Sequence, residues 1–387
     1  MHAYRTLLAI LALTLASSSA APLNRHNRRA CRPHSSASAL SDIATSTVAS
    51  VSTSSVEAAS TAVATTRASS SKAPESSSHA SSTHEPSSTH KASSTSSSAP
   101  ESATSSSSGP VPGALKKLFP ISSSKTWTTS SASDDALPLN DNTLGVTKLL
   151  SALSHNYVKA PDGKLSVQAH YPKGSYTYTH QPQGGFSFYA TGPDNFNLEN
   201  AKEATLSYSV YFEDDFDFNM GGKLPGFYGG NDDDVATSCS GGRRDDRCFS
   251  TRFMFRKNGM GELYTYLPPD YSANKALCNV APQSDCNDVY GASVGRGSFY
   301  FKAGTRTTIG QRVRLNDVGK ENGELELFVE GKSIFTVKGL VYRNSDSGKI
   351  RGVQMQTFFG GSSPEWASPK DQNTWFSDFS VAVTESF

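Results

Sequence analysis

From residue 164 to the C-terminus the chain is a series of short runs in which apolar and polar residues alternate, broken by Gly, Pro, Asn and Asp. The runs are 164–171, 185–191, 204–212, 249–256, 262–267, 307–315, 324–329, 333–337, 351–359 and 375–383. Alternation sends every second side chain of a strand to one face, so Leu206, Tyr208, Val210 and Phe212 point together into a core. Glu330-Gly331-Lys332 is a tight turn between two runs. No stretch has the period of a long amphipathic helix, and 143–153 is expected to form only a short one. Many short strands over residues 124–387 predict an all-β fold, a β-jelly roll built as a two-sheet antiparallel sandwich.

The first third of the chain does not belong to that sandwich. Residues 1–20 have a basic start (His2, Arg5), an apolar centre and small residues at the exit, the pattern of a secretory signal peptide. Residues 21–123 are expected to be a disordered Ser/Thr-rich linker, because 35–108 has almost no large apolar side chain to offset the entropy of ordering. Ser and Thr with scattered Pro read as an O-glycosylated stalk, which would allow association with a cell wall. Arg28-Arg29 reads either as a dibasic processing site or as a solvated basic patch. Trp127 is the first large aromatic after the linker expected to be buried.

Charge and cysteine use narrow the partners. Residues 124–387 hold 26 basic against 30 acidic side chains, a net of about −4, so no nucleic-acid partner is expected. Cations focused into one cleft can still hold a polyanion. Cys239, Cys248, Cys278 and Cys286 fit an oxidised, extracellular framework, with the local pairs Cys239–Cys248 and Cys278–Cys286 preferred among three connectivities. Cys31 is left over in the linker. No CxxC or nearby His supports zinc, and the acidic runs at 213–217 and 232–234 read as solvated loops in preference to a calcium site. No apolar tail follows the last run, so no membrane anchor is expected, and the domain is expected to be a monomer.

The chemistry concentrates between 221 and 266. Gly221–Gly230 reads as a glycine-rich loop carrying Lys223. The runs 249–256 and 262–267 read as a hairpin around Lys257-Asn258-Gly259-Met260-Gly261. Pairing Phe255 with Leu263 and Phe253 with Thr265 sets Arg252 opposite Tyr266, with Ser250 and Tyr264 on the same polar face. A guanidinium, a hydroxyl and two phenols on one wall suit an acidic sugar. Taken singly, each of these residues is as easily explained by packing or solvation.

The combination is more specific than its members. Gly-Gly-Lys-Leu-Pro-Gly-Phe-Tyr-Gly-Gly at 221–230, Cys-Phe-Ser-Thr-Arg at 248–252 and Gly-Glu-Leu-Tyr-Thr-Tyr at 261–266 resemble family 14 of the polysaccharide lyases, the alginate lyases and related glucuronan lyases. Gly310-Gln311-Arg312-Val313-Arg314-Leu315-Asn316, Phe358-Phe359-Gly360-Gly361 and Pro369-Lys370-Asp371 extend the resemblance over 207–379. It implies a jelly roll with catalytic Lys223, Ser250, Arg252, Tyr264 and Tyr266, and a secreted enzyme that cleaves a β-1,4-linked polyuronate by β-elimination. Gln354, Gln356 and Arg312 are assigned to substrate binding. In that scheme Arg252 takes the uronate carboxylate, alone or with Lys223, and Ser250 holds the sugar or a tyrosine. Tyr264, Tyr266 or Lys223 moves the protons, without metal or other cofactor. A glycoside hydrolase on the same fold would need a second carboxylate to partner Glu262. A lectin-like wall protein would bind acidic sugar and release nothing.

Overall fold

The computed structural model describes residues 112–387. The segment 1–20, Arg28, Arg29, Cys31 and the stretch 35–108 lie outside the described residues.

The strands begin with β1 (Lys125–Thr128), β2 (Val146–Thr147), β3 (Tyr157–Lys159), β4 (Leu165–Tyr171), β5 (Phe186–Ala190) and β6 (Ala201–Phe212). Then come β7 (Gly221–Gly230), β8 (Cys248–Arg256), β9 (Met260–Tyr266) and β10 (Ala292–Tyr300). The last are β11 (Arg306–Arg314), β12 (Gly323–Val329), β13 (Lys332–Leu340), β14 (Lys349–Phe359) and β15 (Gln372–Ser386). They pair antiparallel in two sheets. The first runs β13-β12-β11-β6-β15-β4-β3, with β1 added on β15. The second runs β10-β9-β8-β7-β14-β5-β2. This is the jelly-roll sandwich that the alternation predicts. No described helix is long and apolar enough to cross a membrane.

The core lies between the sheets. Leu206, Tyr208, Val210 and Phe212 of β6 meet Phe186, Phe188, Phe227, Phe253, Phe255, Leu263 and Met355 of the second sheet, all fully buried. Each such side chain contributes roughly 1.5–3 kcal/mol on removal from water. With its inner face apolar, the second sheet can present polar residues outward, and it is this outer face that carries the candidate site.

Several local expectations change. The glycine-rich segment 221–230 is a central strand, β7, with all ten residues buried, and not a loop. Its glycines serve close packing: a Cβ on Gly226 would lie 2.0 Å from the Thr251 carbonyl oxygen on β8. Pro225 is tolerated because a β-bulge falls there, with Lys223 opposite Met254 but Gly226 opposite Arg252. The extra residue resets the alternation, so Leu224 and Phe227 both enter the core while Lys223 and Tyr228 stay outside it.

The hairpin register is two residues from the one expected. Arg252 pairs with Tyr264 and Ser250 with Tyr266, while Phe253 faces Leu263 and Phe255 faces Gly261. The turn is shorter than read, because Asn258 (φ 60°) and Gly259 (φ 76°) take the left-handed conformation and β9 begins at Met260. A two-residue shift preserves faces, so the polar wall survives it. Of 143–153 only the end of a single turn, Asp141–Leu144, is helical; Asn140 caps its start and Gly145 (φ 62°) ends it. Folded structure begins before residue 124, with a helix at Pro112–Leu118 that buries Leu118 and pairs Lys117 with Glu330 at 2.6 Å. Glu330 (φ 53°) and Gly331 (φ 74°) make the expected tight turn between β12 and β13.

Candidate active site

The outer face of the second sheet gathers Lys223 from β7, Ser250, Arg252, Met254 and Arg256 from β8, and Glu262, Tyr264 and Tyr266 from β9. Alternation puts each on that face, and the register brings Arg252 beside Tyr264 and Met254 beside Glu262.

Arg252 is 2% exposed, yet no carboxylate among the described residues pairs with it. Its Nη1 donates to Gln356 Oε1 at 3.1 Å, and its Nε has no acceptor. Gln356 is held in turn by Gln354, whose Nε2 donates to Gln356 Oε1 at 2.8 Å, and by Ser187 Oγ at 3.0 Å from Gln356 Nε2. Burial pulls the guanidinium's pKa below its ordinary value, with Tyr266 first among the tyrosines that counter it. A buried guanidinium with an idle donor is costly unless an anion completes it.

Lys223 is 9% exposed, and its Nζ donates to the thioether of Met254 at 2.9 Å while lying 3.3 Å from the centre of the Tyr264 ring. Burial first, then Arg256 and Arg252, hold its ammonium well below the usual lysine range, and Glu262 offsets part of this. Tyr264 moves the opposite way: burial, then Tyr266, raise its phenol above the ordinary value against the pull of Arg256 and Arg252. The Tyr266 hydroxyl accepts the Gly242 N–H at 3.0 Å. One wall therefore carries an amine inclined to be neutral and a phenol inclined to keep its proton.

Other assigned residues have different partners. The Ser250 hydroxyl donates to the Cys239 carbonyl at 2.7 Å, tying the loop before β8 to the sheet. Arg312 is not brought to this wall. It lies on β11 in the first sheet, bound to Glu203 at 2.6 Å, Glu324 at 2.7 Å and Glu326 at 2.8 Å. Glu262, fully buried, has both oxygens engaged: Arg256 at 2.6 Å, Arg296 at 2.9 Å and the Ser293 hydroxyl at 2.6 Å. It cannot serve as a hydrolase acid without abandoning two guanidiniums. The disulfides join Cys239 to Cys248 and Cys278 to Cys286.

Sequence reading missed the Arg256–Glu262–Arg296 cluster and Tyr189, whose phenol burial pushes up to about 12 against the charge of Arg252. These residues are spread over four strands, and only the register assembles them. Two recesses of about 500 and 650 Å3 lie elsewhere among the described residues and contain none of the wall's residues.

A sandwich with cations and phenols gathered on one outer sheet face has the donors to hold an anionic ligand and groups able to move its protons. The sequence model of the family described as Polysaccharide lyase 14 matches residues 159–379, and the chain belongs to that family. The structure resembles the marine PL-14 alginate lyase from Aplysia kurodai, with 31% identity and a TM-score of 0.56 over 68% of this chain and 100% of that one. It also resembles an alginate lyase from Chlorella virus, with 26% identity and a TM-score of 0.52 over 62% and 93% of the two chains. No curated protein sequence matches the chain. The protein is a polysaccharide lyase.

Proposed function

We propose that the protein is a secreted lyase that cleaves a β-1,4-linked polyuronate, alginate or glucuronan, by β-elimination. The observation that carries this reading is Arg252, a buried guanidinium with an idle donor and no carboxylate of the described protein to pair with. A uronate carboxylate supplies what it lacks, in the bidentate geometry that arginine favours. The similarity to two alginate lyases supports the same substrate class.

The C5 proton of a uronate is barely acidic while its carboxylate is ionised. Arg252 stabilises the dianionic enolate as it forms, and the Gln354–Gln356 chain fixes the guanidinium in place. Lys223, inclined to the neutral amine, takes the C5 proton. The electron pair forms the C4–C5 double bond as the C4–O4 bond breaks. Tyr264, inclined to keep its proton, gives it to the departing O4. Tyr266 lies beside Arg252 and Tyr264 and orients the sugar between them. No step calls for a metal. The apolar segment 1–20, the Ser/Thr-rich linker and the two disulfides support an extracellular, oxidising setting.

The test is ultraviolet absorbance of the unsaturated product, scanned over alginate, polymannuronate, polyguluronate and glucuronan, with neutral β-glucans as controls. A rise with at least one polyuronate and none with the glucans is expected. New reducing ends without absorbance would mean hydrolysis, and binding without either would mean a lectin.

A further inference from the structure

A disulfide-closed loop and the segment 287–291, which follows a second disulfide, meet at the tyrosine end of the wall, and the elimination scheme uses neither. The loop is closed by Cys239–Cys248, and the second disulfide is Cys278–Cys286. Arg244 Nη1, in the first loop, donates across to the carbonyls of Asn287 at 3.2 Å and Asp288 at 3.0 Å, in the segment that follows Cys286. Asn287 Oδ1 accepts the N–H groups of Val289 at 2.7 Å and Tyr290 at 2.9 Å, which fixes the turn that carries Tyr290. Gly291 then lies against both site tyrosines: a Cβ there would come within 2.7 Å of Tyr266 Cε2 and 2.8 Å of Tyr264 Cε1.

This arrangement leaves an aromatic ring in the open next to the chemistry. Tyr290 is 42% exposed, and its ring sits over Gly242, whose Cβ would lie 3.6 Å from Tyr290 Cε1. The N–H of that same Gly242 is the donor to the Tyr266 hydroxyl. Arg243 follows directly. It is exposed, it has no carboxylate partner among the described residues, and it is held by Ser238 O at 3.1 Å and Ser240 Oγ at 3.3 Å. Its charge reaches the Tyr189 phenol on the same sheet face.

We propose that Tyr290 and Arg243 form an accessory uronate subsite beside Tyr266. The phenol ring lies under the apolar face of one sugar, and the guanidinium takes that sugar's carboxylate. The inference rests on the polyuronate-lyase reading and adds to it a residue pair that positions the polymer away from the bond being cut. Tyrosine is among the residues that most often dominate a binding surface, and a rim arginine acts chiefly on the approach of a charged partner and its salt dependence.

The experiment is steady-state kinetics on polymer and on oligomers of defined length, for wild type, Tyr290→Ala, Tyr290→Phe, Tyr290→Trp and Arg243→Gln. Circular dichroism and a non-reducing peptide map confirm fold and disulfides. Tyr290→Ala is expected to raise KM for polymer about tenfold while kcat stays near wild type, and Phe or Trp to restore KM. Arg243→Gln is expected to raise KM several-fold, by about fivefold at low salt and less at high salt. Both penalties should vanish on the shortest oligomer that wild type cleaves. An active wild type with unchanged KM in Tyr290→Ala would overturn the subsite alone. So would a Phe variant as impaired as Ala, or an equal penalty at every length. Wild type that gives no unsaturated product from any polyuronate would overturn the lyase reading and the subsite with it.

Discussion

At the scale of single residues, the site is a set of groups held at a cost to the fold. Lys223 is the clearest case. Its folded pKa is lowered, so between that value and the ordinary lysine value of about 10.4 the unfolded chain holds a proton that the folded chain lacks. Stability attributable to this group therefore rises with pH across that window. Lys223→Met should abolish turnover yet raise the unfolding free energy at neutral pH, by on the order of 1 kcal/mol, and flatten that pH dependence. Lys223→Arg keeps a cation but no usable base, and should lose about 10²–10⁴-fold in kcat. Chemical denaturation at several pH values and initial rates check both; an active Lys223→Arg enzyme would pass the base role to Tyr266. Tyr264→Phe should lower kcat by a similar factor with KM little changed, because the ring stays under Lys223 while the proton donor goes. Arg252→Ala should damage both kcat and KM, and Arg252→Lys should rescue only in part, since the two-pronged contact is lost. The sequence motifs single out Arg252, Lys223, Tyr264 and Tyr266, and the registers of β7, β8 and β9 bring the four to one candidate wall. The pairing of Lys223 with Met254 was not legible in the sequence, since it needs the registers of two strands.

At the scale of elements, the bulged strand β7 decides whether Lys223 reaches the wall at all. With an even alternation through 221–230, Lys223 and Phe227 would share a face, and either the amine would be buried in the core or the phenyl ring exposed. The bulge at Pro225 separates them, and Gly226 lets β7 and β8 approach closely enough to form it. Glycine and proline density read as a loop because both residues are depleted in strands; what overrides that propensity is burial between β8 and β14. Gly226→Ala forces a Cβ into the Thr251 carbonyl, which the sheet can relieve only by moving backbone. A loss of about 2–4 kcal/mol in urea unfolding is expected, with activity falling as Lys223 shifts. A wild-type midpoint and full turnover in that variant would remove the bulge from the account. The hairpin β8–β9 teaches the complementary lesson. Its faces were legible because alternation fixes them, but its register was not, because Asn258 and Gly259 shorten the turn without changing which face is polar.

At the scale of the whole molecule, the two sheets differ in how their outer faces are satisfied. The first closes its outer face with charge networks, Arg312 with three glutamates among them, which is why an arginine in a promising motif sits away from the wall. The second leaves Arg252 without an anion and closes its rim with two disulfide loops. Loops this short contribute roughly 2–3 kcal/mol each through chain entropy. Cys239→Ser with Cys248→Ser should cost about that much in thermal denaturation and should also raise KM, since the Gly242 contact to Tyr266 loosens. Retained KM with lost stability would confine that disulfide to scaffolding. Alternation alone made the sandwich legible; which sheet carries the candidate site was legible only through the motifs on β7, β8 and β9.

The central claim is that the chain breaks a polyuronate without consuming water. The most direct measurement is the mass of the fragments from a single oligouronate of defined length, cut by the wild-type enzyme. Elimination leaves a double bond in one fragment, so the fragment masses are predicted to sum to the mass of the parent. A sum heavier than the parent by one water would show hydrolysis and contradict the account.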